Sequence, residues 1–88
     1  NRHSSPAHNL YGQSLYRQRR FDLAAKALDK ATQICKNLDE TRYFSALSHF
    51  RLGQAAKAVA RLEELIKENP QSKYLAKSKQ LLRKANKQ

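Results

Sequence analysis

The feature that most constrains how this chain can fold is a repeat of its own sequence at a shift of 34 positions. At this shift Ala24 aligns with Ala58, and Leu28 aligns with Leu62. A small residue at such a position lets two helices approach closely, and the larger residue four positions later fills the next layer of the contact. The other aligned pairs are Gly12 with Ala46, Ala31 with Leu65, and Tyr16-Arg17 with Phe50-Arg51. A period of this length predicts stacked copies of one helical unit.

The amino-acid composition favours helices throughout. Only 2 Gly and 2 Pro occur among 88 residues, whereas Ala, Leu, Lys, Gln and Arg, which are good helix formers, are frequent. The hydrophobic content of 40% recurs with a helical period, which argues against disorder despite the high charge. At this length the chain suffices for one small domain with a modest core. We therefore expect a single all-α domain.

Capping and helix-breaking residues divide the chain into five predicted helices. Ser5-Pro6 is a favourable helix start, and Gly53 suits the position just after a helix end. Asn69-Pro70 ends a helix because Pro disfavours the helical conformation in the residue before it, and Ser72 is the predicted cap of the last helix. The first predicted helix runs to about Gln18, and the others cover about Asp22–Lys36, Glu40–Leu52, Ala55–Glu68 and Lys73–Ala85. The short connections predict antiparallel neighbours.

The stretch from Tyr11 to Ala24 follows the pattern of a known repeat unit without a gap. Tyr11 takes the place of that unit's Leu, and Gly12 takes the place of its Gly. Phe21 holds the aromatic position of the turn, and Ala24 holds the small residue of the second helix. The matching residues of the second unit are Ala46, Gly53, Ala58, Leu62 and Pro70. The chain therefore resembles the tetratricopeptide repeat (TPR) family, whose unit is a 34-residue helix–turn–helix.

This resemblance implies an all-α fold of antiparallel helix-turn-helix repeats that stack into a right-handed superhelix. It divides the single domain, residues 1–88, into repeat 1 (5–38), repeat 2 (39–72) and a capping helix (73–88). An ordinary bundle of five helices without repeat geometry is the alternative fold.

The chain departs from the family pattern in two respects. Arg42, Ser45 and His49 occupy the third-helix positions that usually carry large core residues. The first unit has Lys36 where a closing Pro is expected. The first departure leaves open how tightly the third helix packs.

The formal net charge is +11, from 18 Lys and Arg against 7 Asp and Glu. A charge of this size bears on partners and association rates, not on the fold. Nucleic acid, an anionic membrane surface and an acidic protein are all compatible with it, and so is a solvated basic surface that has no dedicated partner. The longest apolar runs have two or three residues, so we expect no membrane span.

We find no residue pattern typical of catalysis or metal binding. His3, His8 and His49 lack the helical pairing and nearby ligands that a zinc site needs, and His49 is expected to be partly buried. Cys35 is alone, so no intrachain disulfide can form, which favours an intracellular location only weakly. The chain is therefore expected to be no enzyme and to have no catalytic residue, metal or cofactor. Because it begins at Asn1 and has no Met, we expect either a processed protein or a piece of a longer protein.

The last predicted helix separates apolar residues from basic ones. One arc carries Tyr74, Leu75, Ser78, Leu81, Leu82 and Ala85. The opposite side carries Lys73, Lys77, Lys84 and Lys87. This helix is interpreted either as a cap kept soluble by its lysines or as a patch for an anion or an acidic partner. A helix lying on a membrane surface is disfavoured because the repeat core needs the apolar arc.

The most specific binding prediction concerns the third helix, where Tyr43, Leu47 and Phe50 form one stripe. The family register implies that the first helix of each unit lines a concave groove, which suits a peptide or a helix of a partner. The same groove would then contain Asn9, Gln13, Tyr16, Arg17 and Arg51. The alternative interpretation places the stripe in the core instead of Arg42, Ser45 and His49.

A subgroup of the family holds C-terminal acidic peptides with Lys and Asn at fixed groove positions. In this chain those positions hold Asn9, Gln13, Tyr43 and Leu47, so that carboxylate clamp is not reproduced. Arg17 and Arg51 instead supply the basic groups that would select an acidic segment beside the stripe.

The sequence thus predicts a TPR-type scaffold or adaptor that binds a protein or peptide partner, with an acidic partner favoured by the charge. The alternatives are a nucleic-acid-binding helical repeat that uses its basic faces, and an oligomerisation module. Repeat arrays usually need about three units, and this chain has two and a cap. Self-association or docking to further repeats is therefore also expected, with the surface before Tyr11 and the stripe of Tyr43, Leu47 and Phe50 as the contact faces.

Overall fold

The structure, a computed structural model, describes residues 4–34 and 39–87, with side chains of the first helix from Asn9 onward. Cys35, Lys36 and His3 lie outside the described residues, as does the side chain of His8. The five helices are α1 (Ser4–Arg17), α2 (Phe21–Ile34), α3 (Asp39–Arg51), α4 (Ala55–Glu68) and α5 (Leu75–Asn86). No strand occurs in the described part of the chain, and the predicted all-α class is confirmed.

The helix boundaries agree with the prediction for α4 and differ by one or two residues elsewhere. α1 begins at Ser4, one residue before the predicted cap, and the Ser5 side chain lies outside the described part. The prediction that Ser72 caps the last helix is wrong, because α5 begins at Leu75 directly after Tyr74. The Ser72 hydroxyl oxygen instead accepts a hydrogen bond from the Tyr74 amide (3.1 Å), and the Ser72 carbonyl accepts one from the Leu75 amide (3.0 Å). Ser72 therefore stabilises the turn that leads into α5.

Consecutive helices pack against one another as antiparallel neighbours, and alternate helices also touch. α1 contacts α3, and α3 contacts α5, in addition to the contacts between each helix and the next. This arrangement places α1, α3 and α5 side by side in one layer and α2 and α4 in a second. The extents of the molecule, 37 × 28 × 17 Å, fit two helix layers.

The turns within the two helix pairs have the same backbone geometry. Arg19, between α1 and α2, has φ 63°, and Gly53, between α3 and α4, has φ 78°. The Arg20 amide donates to the Leu15 carbonyl (2.9 Å), as the Gln54 amide does to the His49 carbonyl (2.9 Å). These residues align at the 34-residue shift, so the repeat extends from the sequence to individual hydrogen bonds. Glycine adopts such a φ without strain, whereas Arg19 must be held there by the surrounding turn.

Two apolar clusters form the core, one for each helix pair. The first consists of Leu15, Ala24, Ala27 and Leu28, with Tyr16 and Phe44 packed against it. The second consists of Ala46, Ala58, Leu62 and Leu81, with Tyr43, Leu47, Phe50 and Leu82 packed against it. Gly12 lies so close to Leu28 that an added Cβ atom would stand 2.5 Å from the Leu28 Cγ atom. The predicted close approach of α1 and α2 at Gly12 is confirmed.

α5 covers the second cluster with one face and exposes the other. Ser78, Leu81 and Ala85 are buried, and Leu81 is a member of the second cluster. The lysines on the opposite side, Lys73, Lys77, Lys84 and Lys87, are all exposed. Leu81 belongs to the same cluster as Ala58 and Leu62. Without α5, part of this apolar cluster would be exposed to water.

We expect Ala58→Leu to destabilise the fold by about 1–3 kcal/mol, because Ala58 is fully buried in the second cluster and extra methyl groups there overpack it. Ala60→Leu on the same helix is the matched control, since Ala60 is exposed and the same change should be nearly silent. Urea unfolding of the two variants measures the difference in the free energy of unfolding. Equal stabilities of the two variants would show that the alignment of Ala58 with Ala24 has no packing basis.

We expect a chain that ends after Ser72 to aggregate or to melt at a much lower temperature. The truncation removes Leu81, which covers the second cluster, and Tyr74, which stacks on Tyr43. Removal of residues 86–88 alone is the control and should change little. Thermal unfolding followed by circular dichroism, together with light scattering, checks this; a soluble chain of unchanged stability would show that α5 is an independent basic tail.

Candidate partner-binding site

The Glu40 carboxylate joins α1, α3 and the turn before α5. It accepts hydrogen bonds from the Asn9 amide (3.0 Å), the Gln13 amide (2.8 Å) and the Tyr74 hydroxyl (2.9 Å). The Thr41 hydroxyl also donates to the Asn9 carbonyl oxygen (2.8 Å). We call these five residues the Glu40 cluster. It holds the first helices of the successive units in a fixed register.

The hydrogen bonds of the Glu40 cluster also change the acidity of its members. The bonds from Asn9, Gln13 and Tyr74 stabilise the charged carboxylate and lower the pKa of Glu40. Burial, together with donation to Glu40, raises the pKa of Tyr74. Glu40 therefore stays ionised at neutral pH, and its ionised carboxylate stabilises the folded chain.

A second carboxylate, that of Asp29, joins α2, α3 and α4. It accepts a hydrogen bond from the Ser45 hydroxyl and one from Arg61 Nε (3.2 Å), and it lies 2.9 Å from His49 Nε2. Burial would raise the pKa of Asp29, but the bonds from Ser45, His49 and Arg61 outweigh burial and lower it. These four residues are the Asp29 cluster. It explains how Ser45 and His49 occupy core positions of α3, since Asp29 satisfies both of them.

The structure places Gln13 in an internal contact, although the sequence predicted it to face a partner. Gln13 is 5% exposed and its amide donates to Glu40. Asn9, at 8%, is similarly enclosed. Sequence reasoning gave Glu40 and Asp29 no role, yet these two carboxylates organise the contacts between the helix pairs.

The stripe of Tyr43, Leu47 and Phe50 is half-buried and lies against the second cluster. Tyr43 stacks on Tyr74 with ring centroids 5.4 Å apart, so the start of α5 covers one end of the stripe. Burial is the main cause of the raised pKa of the Tyr43 hydroxyl. The stripe therefore serves the core with one side while its other side stays open to solvent.

Arg17 and Arg51 line one small cavity of about 170 Å³ with Tyr16, Arg19 and Phe21. We call these five residues the arginine cleft. Arg17 ends α1 and Arg51 ends α3, so the side-by-side packing of these two helices brings together residues that are 34 positions apart. Of the predicted contact residues, the structure thus brings Tyr16, Arg17 and Arg51 together.

Aromatic rings form the wall of the arginine cleft and hold its charged groups. The ring centroids of Tyr16 and Phe21 lie 5.3 Å apart, and Phe44 packs against Tyr16 from the core at 5.6 Å. The Arg51 guanidinium carbon lies 5.9 Å from the centroid of the Phe21 ring, a cation–π contact. The base of the arginine cleft is therefore formed by aromatic rings that pack against one another.

The lysines predicted to form an anion patch lie on α5 or directly before and after it, and none of them lines the arginine cleft. Lys73 and Lys77 approach the ring of Tyr74, with nitrogen-to-centroid distances of 5.6 and 6.0 Å. Lys84 and Lys87 are exposed near the end of the helix. The arginine cleft is thus built from arginine side chains and aromatic rings, whereas the basic surface of α5 is built from lysines.

A larger cavity of about 320 Å³ lies between α2, α3 and α4, and its charges are mixed. It is lined by Asp29, Thr32, Gln33, Arg42, Arg61, Glu64 and Glu68. Arg42 Nη1 is buried there without a hydrogen-bond partner, while Arg61 is paired with Asp29 and with Glu64. The carboxylates around it make this cavity less selective for one sign of ligand charge than the arginine cleft.

Within residues 4–34 and 39–87 no group of three or more His, Cys, Asp and Glu side chains is placed to hold a metal ion. Over the same described residues, no helix has the length and apolar character needed to cross a membrane.

The helical repeats and the cleft between their first helices define a TPR-type protein. The family profile described as "Anaphase-promoting complex, cyclosome, subunit 3" matches residues 1–65. The chain belongs to this family, a TPR-type repeat family, and the resemblance noted in the sequence is confirmed. Neither the curated proteins nor the solved structures compared with the chain give a significant match.

We expect Glu40→Gln to destabilise the fold at neutral pH by about 1 kcal/mol, because it weakens charge-assisted bonds at a partly exposed site. The pKa of Glu40 lies below its ordinary value of 4.5, so near this pH the unfolded chain binds more protons than the folded one, and stability rises with pH. The stabilisation is fully present above that ordinary value and is lost as the pH falls through the lowered one.

Thermal unfolding of wild type and Glu40→Gln across the acidic range tests this expectation. The variant should show a weaker dependence of stability on pH, whereas Glu63→Gln, at an exposed carboxylate on α4, should resemble wild type. Identical pH profiles for Glu40→Gln and wild type would show that Glu40 does not stabilise the stack through its charge.

Proposed function

We propose that this chain is a protein–protein interaction module that binds an acidic segment of a partner at the arginine cleft and along the neighbouring stripe. Proteins of TPR type are typically non-enzymatic scaffolds, and membership of such a family supports the general role. The specific part of the proposal is that the bound segment is acidic and that it contacts the arginine cleft and the stripe.

The observation that carries the proposal is that Arg17 and Arg51 line the same cavity. A single exposed arginine gains little from pairing with a mobile acid, because solvent screens the charge and both side chains lose freedom. Two guanidinium groups on neighbouring helices can hold one acidic segment from both sides, and each can form two parallel bonds to a carboxylate.

The stripe on α3 supplies apolar contacts beside these charges. Tyr43, Leu47 and Arg51 follow one another at intervals of four on α3, so a segment bound at the cleft can continue along the open side of the stripe of Tyr43, Leu47 and Phe50. All three side chains are half-exposed, which leaves area for a partner while the core fixes their positions. Anchors held in place before binding lose less entropy when the partner arrives.

The family description names a subunit of a complex, and an exposed apolar surface supports a place in a larger assembly for this chain as well. Leu10 is 68% exposed and Tyr11 is 59% exposed on neighbouring positions of α1. We propose that this surface packs against further repeats, as expected from the small number of units.

We expect Arg17→Glu combined with Arg51→Glu to abolish capture of the partner without unfolding the chain, because both side chains are exposed. The control variant combines Lys57→Glu with Arg83→Glu, which changes the net charge equally at exposed sites that do not line the arginine cleft. Immobilised wild type and both variants are incubated with a cell extract, with and without nuclease, and the retained proteins are compared.

Proteins that are retained by wild type and by the control but lost from the cleft variant support the proposal. Equal loss from both variants would show a general charge effect and contradict a defined site. Loss on nuclease treatment would assign the capture to nucleic acid instead. Circular dichroism of both variants confirms that they are folded.

A further inference from the structure

The arginine cleft combines three arginine side chains with an aromatic base in one open cavity. Arg17, Arg19 and Arg51 line it together with the rings of Tyr16 and Phe21. The volume of about 170 Å³ is several times the share of one water molecule in the liquid, about 30 Å³, so a tetrahedral oxyanion fits. The three arginines come from the end of α1, the following turn and the end of α3.

Contacts that precede any ligand hold the guanidinium groups of Arg51 and Arg17 and the backbone of Arg19. Arg51 rests on the ring of Phe21. The backbone of Arg19 is held at φ 63° by the turn, in which its amide donates to the Tyr16 carbonyl (3.0 Å). Arg17 Nη2 lies 3.5 Å from the Gln13 carbonyl oxygen, at the limit of a hydrogen bond. Groups held in this way lose less conformational freedom on binding than free surface arginines do.

The positive charge of the cleft is not balanced from within. No carboxylate lines it among the residues that the structure describes. Asp22, the nearest acidic residue in sequence, is exposed and does not line the cavity. Asp29 and Glu40 are engaged in their own clusters. The cleft therefore complements a ligand that carries more than one negative charge.

We propose that the arginine cleft binds the phosphoryl group of a phosphorylated serine or threonine in a partner segment. A carboxylate has two oxygens and one charge, which one arginine fork can satisfy. A phosphoryl group has three acceptor oxygens and a charge of about −1.5 to −2 at neutral pH, which matches a cavity lined by three arginine side chains. This inference rests on the proposed function and specifies the chemistry of the segment at that site.

A protein partner fits the cleft better than a nucleic acid does. Nucleic acid is bound by a track of basic groups that follows successive phosphates, often with free aromatic rings for stacking. Here the charges converge on one small cavity, and the adjoining surface is the half-apolar stripe on α3. The ring of Tyr74, next to the lysines of α5, is already stacked on Tyr43.

The test compares two small ligands that differ only in the charged group. The ¹⁵N-labelled chain is titrated with N-acetyl-phosphoserine amide and, separately, with N-acetyl-aspartate amide, at matched ionic strength. We expect the phosphoserine ligand to shift the amide signals of Arg19, Phe21 and Arg51 and to bind at least about tenfold more tightly than the aspartate ligand. Equal affinities, or shifts confined to the lysines of α5, would overturn the proposal.

Two variants make the site assignment specific. Arg17→Gln with Arg51→Gln should weaken phosphoserine binding by about tenfold or more, and Lys57→Gln with Arg83→Gln should not. Arg19→Gly removes the third guanidinium but keeps the turn, because glycine already occupies the equivalent position as Gly53. This variant should be at least as stable as wild type yet bind phosphoserine more weakly. Unchanged binding in both cleft variants would place the ligand elsewhere.

A phosphatase treatment of the extract separates this inference from the proposed function. Capture that depends on Arg17 and Arg51 and is lost after phosphatase treatment supports both. Capture that depends on the two arginines but survives the treatment leaves the proposed function standing and overturns the phosphoryl inference. Displacement of the phosphoserine ligand from the cleft by a thymidine oligonucleotide, with steep salt dependence, would assign the cleft to nucleic acid and contradict both.

Discussion

The contact on which the rest of the structure depends is the Glu40 carboxylate, which three elements share. Asn9 and Gln13 reach it from α1, and the Tyr74 hydroxyl reaches it from the turn before α5. Apolar packing brings helices together but tolerates sliding, whereas these bonds require one register because a displaced amide would be buried without a partner. The Asp29 cluster fixes α2, α3 and α4 in the same way. Two carboxylates thus convert two helix pairs and a cap into one stack.

The candidate site is a product of this register. Neither helix pair contains a complete arginine cleft, since α1 and its turn supply Arg17 and Arg19 while α3 supplies Arg51. The repeat places the first and last of these at equivalent helix ends, and the stacking makes those ends neighbours. The surplus of positive charge is a property of composition, but its concentration in one cavity is a property of the fold.

Much of the fold follows from the sequence because repetition and helix breakers are local signals. The bounds of α4 were predicted from helix-breaking residues, the close approach at Gly12 from the repeat, and the shared groove of Arg17 and Arg51 from the resemblance to the TPR family. The Glu40 and Asp29 clusters were not, because their hydrogen bonds join residues 16 to 34 positions apart, and no local pattern marks such partners. The polar residues Ser45 and His49 at core positions were the available signal, since each needed a buried partner. The sequence left open whether the stripe of Tyr43, Leu47 and Phe50 lines the groove or belongs to the core. Helical spacing shows that these residues share a face of α3 but not what that face contacts.

The central claim is that stacking in one register brings the ends of α1 and α3 together at the cleft. Spin labels on Arg17→Cys and Arg51→Cys, in a chain with Cys35→Ser, test it by electron paramagnetic resonance. Neighbouring helices lie about 10 Å apart, so we predict strong dipolar broadening for this pair. Labels on Arg17→Cys and Arg83→Cys should show much weaker broadening, because α5 does not contact α1 in the described part of the chain. A spectrum of the first pair equal to the sum of its two single-label spectra would contradict the claim.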